Sequence, residues 1–237
     1  MFVMAVNEPN RDPSSAQVPR PAVMPVDRHE WRKQLHLSNF VNAYYQFRDL
    51  QRLEQCRRVL IVGPGQGLQT EVLKWRGYNV TTFDIDQTFQ PDVVGSVDDM
   101  RLFGDGQFDA VIASHVLEHL PVPYLNQSLS ELARVARYAL IYLPVAGRHF
   151  LARLQPGFKA LDLCLIIDVF NYLHRPSGLE ARYCQGQHYW EVGMRGFRVR
   201  DLEVRMSPYF ELLEVYRNRD WSPSQNFVLR SKRGKAQ

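Results

Sequence analysis

Cysteine is scarce in this sequence. There are three in 237 residues, Cys56, Cys164 and Cys184, odd in number and far apart. That pattern argues against a disulfide framework and a thiolate zinc site, and fits a reducing, cytoplasmic setting. No metal site is expected. Long apolar runs are missing too. The longest, Ala160 to Leu173, contains Asp162 and Asp168, too short and too charged to span a bilayer. The apolar start, Met1 to Val6, has no basic region and no adequate apolar stretch, so it does not read as a signal peptide. Charge of one sign does not dominate. A net charge of +4 is too mild to demand nucleic acid. Arg217, Arg219, Arg230, Lys232, Arg233 and Lys235 gather near the end and read as a solvated tail. There is no internal repeat. With 45% hydrophobic residues, a chain of this length can bury one sizeable core, a single domain with additions.

Two nucleotide-binding fingerprints are also absent from the stretch that organises the rest. Residues 58 to 67 read Arg-Val-Leu-Ile-Val-Gly-Pro-Gly-Gln-Gly. The dinucleotide pattern G-x-G-x-x-G fails because Leu68 stands where its third glycine would fall. A phosphate loop ending in Gly-Lys-Ser/Thr is not there either. What is present is a buried strand, Val59 to Val62, then Gly63, Gly65 and Gly67, then a helical pattern with Leu68, Val72 and Trp75 on one face. Strand, glycine turn and helix open a nucleotide-binding α/β fold.

Residues 1–26 are rich in Pro, Ser, Asn and Arg and read as a disordered tail. Residues 27–56 form an N-terminal cap. Its helix spans about 38 to 54, with Phe40, Val41, Tyr44, Tyr45, Phe47, Leu50 and Leu53 apolar and Ser38 as its cap, packed over the mouth of the site. Residues 57–145 are the core. Its first helix ends at Gly77, and Asn79 to Asp84 is a second strand, with Asp86 as a following N-cap. Asp84 lies about 20 residues past the glycines, where a carboxylate meets both ribose hydroxyls. Asp92 to Val94 and Phe108 to Ala113 are further strands. Ser114 to Leu120 leads into a helix with Leu125, Leu129, Leu132 and Val135 on its apolar face, and Tyr138 to Leu143 is a fifth strand. Alternating strands and helices imply a parallel sheet with right-handed crossovers. Residues 146–195 break the rhythm and read as a lid or substrate insertion, with 160–173 as an amphipathic helix. Residues 196–231 return to the core with a helix at Val199 to Val204 and a hairpin of Phe210 to Tyr216 with Asn226 to Arg230. Residues 232–237 are a basic tail.

Residues 57 to 121 resemble the class I S-adenosylmethionine (SAM)-dependent methyltransferases. Val59 to Gly67 is similar to their first motif, and Val80 to Asp84 to their second strand with its ribose acid. Gly95-Ser-Val-Asp-Asp-Met resembles the stretch that meets the adenine, and Gln107 to Leu120 the fourth strand and its loop. The resemblance implies a Rossmann-like, doubly wound, seven-stranded, mostly parallel sheet with an antiparallel last strand. It implies SAM as cofactor and S-adenosylhomocysteine as product. Gly63, Pro64, Gly65 and Gly67 would pass the methionine portion. Asp84 and Ile85 would hold the ribose side, Ser96, Val97 and Asp98 the adenine, and Ser114 and His115 would flank the methionine portion from the fourth strand's end. Ser96 departs from the usual Asp, and a serine cannot supply the same charge-assisted bond.

The methyl of a sulfonium is already activated, so a base is needed only for a nucleophile that carries a non-acidic proton. The candidates are His188, His115, Glu118 and His119. His119, in the same Leu-Glu-His-Leu turn, reads as a loop-fixing residue. His188 lies in His-Tyr-Trp-Glu, which reads equally as a substrate wall or a buried aromatic anchor. The acceptor expected is a small molecule or a glycan- or lipid-linked precursor, methylated on oxygen. No Asn/Asp-Pro-Pro-Tyr/Phe follows the fourth strand, which disfavours amide or base nitrogen. Two alternatives are an RNA or nucleotide methyltransferase using the basic end, and a SAM-binding regulatory protein without transferase activity. Nucleic acid is disfavoured, and peripheral membrane contact is left open.

Overall fold

The computed structural model describes residues 35–154, 163–169, 186–220 and 224–233. The expected tail at 1–26, much of the 146–195 insertion and the last residues of the chain lie outside them. Helix α1, Leu37–Gln51, precedes the sheet. The core then runs β1 (Arg58–Val62), α2 (Leu68–Trp75), β2 (Asn79–Asp84), β3 (Val93–Val94), β4 (Phe108–Ser114), α3 (Leu125–Val135) and β5 (Ala136–Pro144). A hairpin follows, β6 (Arg148–Leu154) with β7 (Leu163–Val169). Helix α4 (Val199–Met206), β8 (Phe210–Arg217) and β9 (Ser224–Ser231) complete the chain.

The main sheet has seven strands in the order β3-β2-β1-β4-β5-β9-β8. β1 to β5 pair in parallel, and β9 runs antiparallel to both β5 and β8. This is the expected mostly parallel sheet with one reversed strand near its end. The strands are apolar on both faces because helices cover both. Leu60, Val62, Val111, Ala113, Ile141 and Leu143 pack toward α3 and α4. Their neighbours Val59, Ile61, Ala110, Ile112, Leu140 and Tyr142 pack toward α1 and α2. Period-two alternation within continuous apolar runs thus feeds two cores. In α3, Leu125, Leu129, Leu132 and Val135 are all buried, as their spacing requires.

Several local expectations are corrected. Residues 163–169 are a strand paired with β6, Phe150 opposite Ile167, not part of a helix. The apolar run there fits either period, and its β-branched content suits a strand. His36 precedes α1 as its N-cap, and Ser38 lies inside the helix. Trp75 is exposed, and α2 buries Thr70 and Leu73 instead. Strict strand-helix alternation lapses around β3, where short turns replace helices on both sides. The end of α2 matches: Gly77 turns left-handed at φ +84°, and Gly77 and Tyr78 donate to the Lys74 and Leu73 carbonyls. α1 is anchored on the sheet face it shares with α2, through Tyr45 and Leu50.

Candidate active site

Parallel strands put all their C-terminal ends along one edge. The strand order reverses between β1 and β4, where an open α/β sheet forms a crevice. Gly63, Gly65 and Gly67 follow β1 with φ of +66°, +55° and +85°. A Cβ on Gly63 would stand 2.6 Å from Val116 Cγ2, across in the loop after β4. Where Gly67 would carry one, no atom lies within 4 Å, so the backbone borders open space at the start of α2. The turn is held by Gly63 N–H donating to Phe83 O (2.9 Å), Gly67 N–H to Pro64 O (3.0 Å) and Gln69 Nε2 to Pro64 O (3.0 Å).

Asp84 ends β2, and its Oδ1 accepts the Asp86 N–H at 2.9 Å, which fixes the carboxylate. Asp86 in turn caps the next turn by accepting from Thr88 N–H, also 2.9 Å. Ile85 between them is exposed. After β3, Gly95 passes the Phe83 ring so closely that a Cβ would lie 2.6 Å from it. Ser96 donates its hydroxyl to the Asp98 carboxylate, and Ser96, Val97 and Asp98 are all buried. The glycine turn, Asp84 and the Ser96–Asp98 turn therefore lie at the ends of adjacent strands. That arrangement fits SAM.

The loop after β4 carries the other cluster. His115 follows Ser114 in a left-handed conformation, φ +55°, and its N–H donates to Tyr142 O at 2.9 Å. A non-glycine residue held there costs about 1–3 kcal/mol, which its surroundings must offset. Glu118 is fully buried, and neither carboxylate oxygen has a hydrogen-bond partner among the described residues. Three imidazole nitrogens face its Oε1: His115 Nδ1 at 3.7 Å, His119 Nε2 at 3.9 Å and His188 Nε2 at 3.9 Å. The His119 and His188 rings meet edge to face, centroids 4.7 Å apart. Burial pushes the Glu118 carboxyl up to about 7, opposed by the charge His188 can carry. Burial, then the neighbouring imidazoles, holds His115 and His119 below the ordinary histidine range.

His188 reaches this cluster because its segment is laced to the loop and to β5. Tyr189 N–H donates to Glu118 O (2.8 Å), and Val192 N–H to Pro144 O (2.9 Å). Of the two readings of His-Tyr-Trp-Glu, the aromatic anchor finds its residue. Trp190 is the buried anchor, stacked on Phe197 at 4.7 Å, while His188 turns toward Glu118. Sequence reasoning set aside one member and missed another. His119 does fix the loop, its Nδ1 bonded to Gln187 O at 3.0 Å, but its other nitrogen joins the cluster. Glu191 was not singled out, and it accepts from His188 Nδ1 at 2.7 Å. The His-x-x-Glu spacing was the available signal.

A doubly wound sheet of this order, with a glycine turn after β1 and an acid ending β2, defines the class I SAM-dependent methyltransferase fold. The sequence agrees: residues 60–139 match the family model described as a methyltransferase domain. No curated protein matches the chain in sequence. Among solved structures, a protein from Pyrococcus horikoshii OT3 is 15% identical, with TM-score 0.53 over 85% of this chain and 93% of that one. A SAM-dependent methyltransferase from Archaeoglobus fulgidus is 17% identical, TM-score 0.53, over 86% and 97%. The N-methyltransferase NodS from Bradyrhizobium japonicum WM9, in complex with S-adenosylhomocysteine, is 11% identical, TM-score 0.52, over 88% and 94%. Among the described residues no helix is long and apolar enough to cross a membrane.

Proposed function

We propose that this methyltransferase acts on an oxygen of a small-molecule or glycan- or lipid-linked acceptor. The observation that carries the reading is the convergence of buried acceptor atoms, Glu118 with the facing histidines, directly after the strand end bearing Ser114. An alcohol must surrender its proton as the O–CH₃ bond forms, and this requires an acceptor within hydrogen-bond reach. SAM supplies the methyl, already activated on its sulfonium. The chain's own work is to hold both reactants in line and exclude water, which can contribute about 7–11 kcal/mol.

In this reading Gly63, Pro64, Gly65 and Gly67 let the backbone pass the methionine portion, and Asp84 accepts from both ribose hydroxyls. Ile85 borders the adenosine. Ser96 orients Asp98, and the polar contact with the adenine passes to the Val97 backbone and that carboxylate. His115 stands nearest the methyl, with Ser114 beside it. Residues 27–56 and 146–195 serve as cap and acceptor-choosing insertion. Phe150 and Leu165, exposed on the β6–β7 hairpin, suit an acceptor with an apolar portion. The basic end does not favour RNA. Arg230 lies 3.7 Å from Glu211, Arg217 bonds His149, and Lys232 and Arg233 donate to Ser207 O and Ser130 Oγ.

Two measurements test this. With extract and methyl-labelled SAM, label is expected as an O-methyl group in a small or glycan- or lipid-linked product. Label confined to RNA, or no transfer despite SAM binding, overturns the reading. Asp84→Ala should weaken SAM binding by about 1.5–3 kcal/mol, roughly 10- to 200-fold, the range for a charged hydrogen bond. Calorimetric titration reads this, and an unchanged affinity in a folded variant removes the ribose role.

A further inference from the structure

We propose that Glu118, His119 and His188 form a binding site for a divalent first-row transition-metal ion, with Glu191 as its outer support. One ligand atom from each of the three lies within 4.8 Å of the others. The hydrogen bonds behind them decide what those atoms are. Glu191 Oε1, as a carboxylate oxygen, can only accept, so His188 Nδ1 must carry the hydrogen at 2.7 Å. Gln187 O likewise can only accept, so His119 Nδ1 carries its hydrogen at 3.0 Å. In the neutral rings both Nε2 atoms are then bare lone pairs, and both point at Glu118 Oε1 from 3.9 Å. Glu118 is fully buried and neither of its oxygens has a partner among the described residues.

Three electron-rich atoms thus gather within 4.8 Å of one another. A shared proton would draw one pair to roughly 2.7–2.9 Å. The two separations are instead equal and longer. Ligand atoms bonded to one ion at about 2.0–2.2 Å stand roughly 3–3.5 Å apart, so the two 3.9 Å separations would close by about 0.4–0.9 Å to complete the shell. Histidines whose second nitrogen donates to a carboxylate or a backbone carbonyl are also the ordinary support of metal ligands. Two imidazoles and a carboxylate select zinc, manganese, iron(II) or cobalt over magnesium and calcium, which prefer oxygen. The cysteine-poor sequence gave no hint of this, because His188 is brought in by the fold.

Three protein ligands leave at least one position of the shell open. There an ion would take the oxygen of the acceptor and make its proton easier to lose to the His115 imidazole, which stays outside the ligand set. The O–CH₃ bond would then form as the S–CH₃ bond breaks, its electron pair remaining on sulfur. This use rests on the oxygen-acceptor reading; the binding of the ion does not.

The test uses the full, tag-free chain stripped with chelator. Zn²⁺ titrated by calorimetry should bind at one equivalent, and Co²⁺ should develop visible absorption bands from imidazole and carboxylate ligation. Glu118→Gln and His188→Gln should abolish both signals while SAM affinity persists. Glu191→Gln, which touches no ion, should weaken Zn²⁺ binding by about 10- to 100-fold. Chelation should stop methyl transfer, and Zn²⁺ or Mn²⁺ should restore it. No saturable Zn²⁺ binding, or binding unchanged in Glu118→Gln and Glu191→Gln, overturns the site. Methyl transfer that persists in chelator with no metal bound overturns the ion's catalytic use and leaves the methyltransferase reading intact. Metal binding with methyl transfer to nitrogen would uphold the site and sink only the oxygen reading.

Discussion

Gly63→Val is expected to lower SAM affinity by about 100-fold or more while leaving a folded protein. Two costs coincide at this position. Its φ of +66° is one that a β-branched residue tolerates badly, a strain of about 1–3 kcal/mol. Its first side-chain atom would also stand 2.6 Å from Val116 Cγ2, an overpacking worth roughly 1–3 kcal/mol more. Val116 cannot simply swing away. It sits between His115, pinned to Tyr142 O, and Leu117, which is fully buried. The strain is relieved only by moving the glycine turn or the loop after β4, and either movement spoils the binding surface. The strand itself survives, because Gly63 N–H can still donate to Phe83 O. Gly67→Ala is the informative contrast. It shares the left-handed backbone but meets no atom within 4 Å, so its effect on stability should be only about 1 kcal/mol. Calorimetric SAM titration of both variants, with circular dichroism as the control, reads the difference. Undiminished affinity in Gly63→Val would remove the glycine turn from the cofactor site.

The parts of this protein that were legible in sequence are those whose cause is local. Val59 to Val62 is a strand because four apolar residues stop at a glycine, and Asp84 lies at the sheet edge because its strand is in register with β1. The face of α3 follows from one helical period. The parts that were not legible depend on a distant partner. Leu163–Val169 pairs with Arg148–Leu154, and an apolar run of that length carries no period that separates strand from helix until the pairing is known. Trp75 looked like a core residue by spacing, yet the face that α2 buries is set by Thr70 and Leu73 against the sheet and α1. The Glu118 cluster was half visible. His115, Glu118 and His119 are neighbours in the chain, whereas His188 arrives from about 70 residues away through the Tyr189–Glu118 backbone bond. Ser96 shows a subtler limit. Its type was readable, but its commitment to Asp98 was not.

Asp49→Ala should cost about 3–5 kcal/mol of stability, the range for removing one partner of a buried charged network. Asp49 is almost wholly buried in α1. Its Oδ2 accepts from the Tyr142 hydroxyl at 2.5 Å and the Tyr216 hydroxyl at 2.6 Å, and its Oδ1 pairs with Arg48 at 2.7 Å. Burial, then the Asp49 charge, pushes the Tyr142 hydroxyl well above its ordinary range, so it remains a donor. Arg48 lies over the Tyr45 and Tyr216 rings at 4.4 and 4.6 Å. One carboxylate therefore ties α1 to β5 and to β8, and its loss leaves the Tyr142 hydroxyl short of an acceptor and Tyr216 with the 3.4 Å contact to Tyr142. For a chain of this size the midpoint of thermal unfolding should fall by on the order of 10 °C. Asp49→Asn, which keeps an acceptor oxygen, should fall less. The same strand links this network to the site, because Tyr142 O holds His115 N–H. Below the transition, SAM binding should nevertheless persist, since Asp49 itself touches none of the glycine turn. A cycle of Asp49→Ala with Tyr142→Phe should show a coupling of about 0.5–3 kcal/mol. Strict additivity would mean that the Asp49–Tyr142 bond does not help hold α1 to β5.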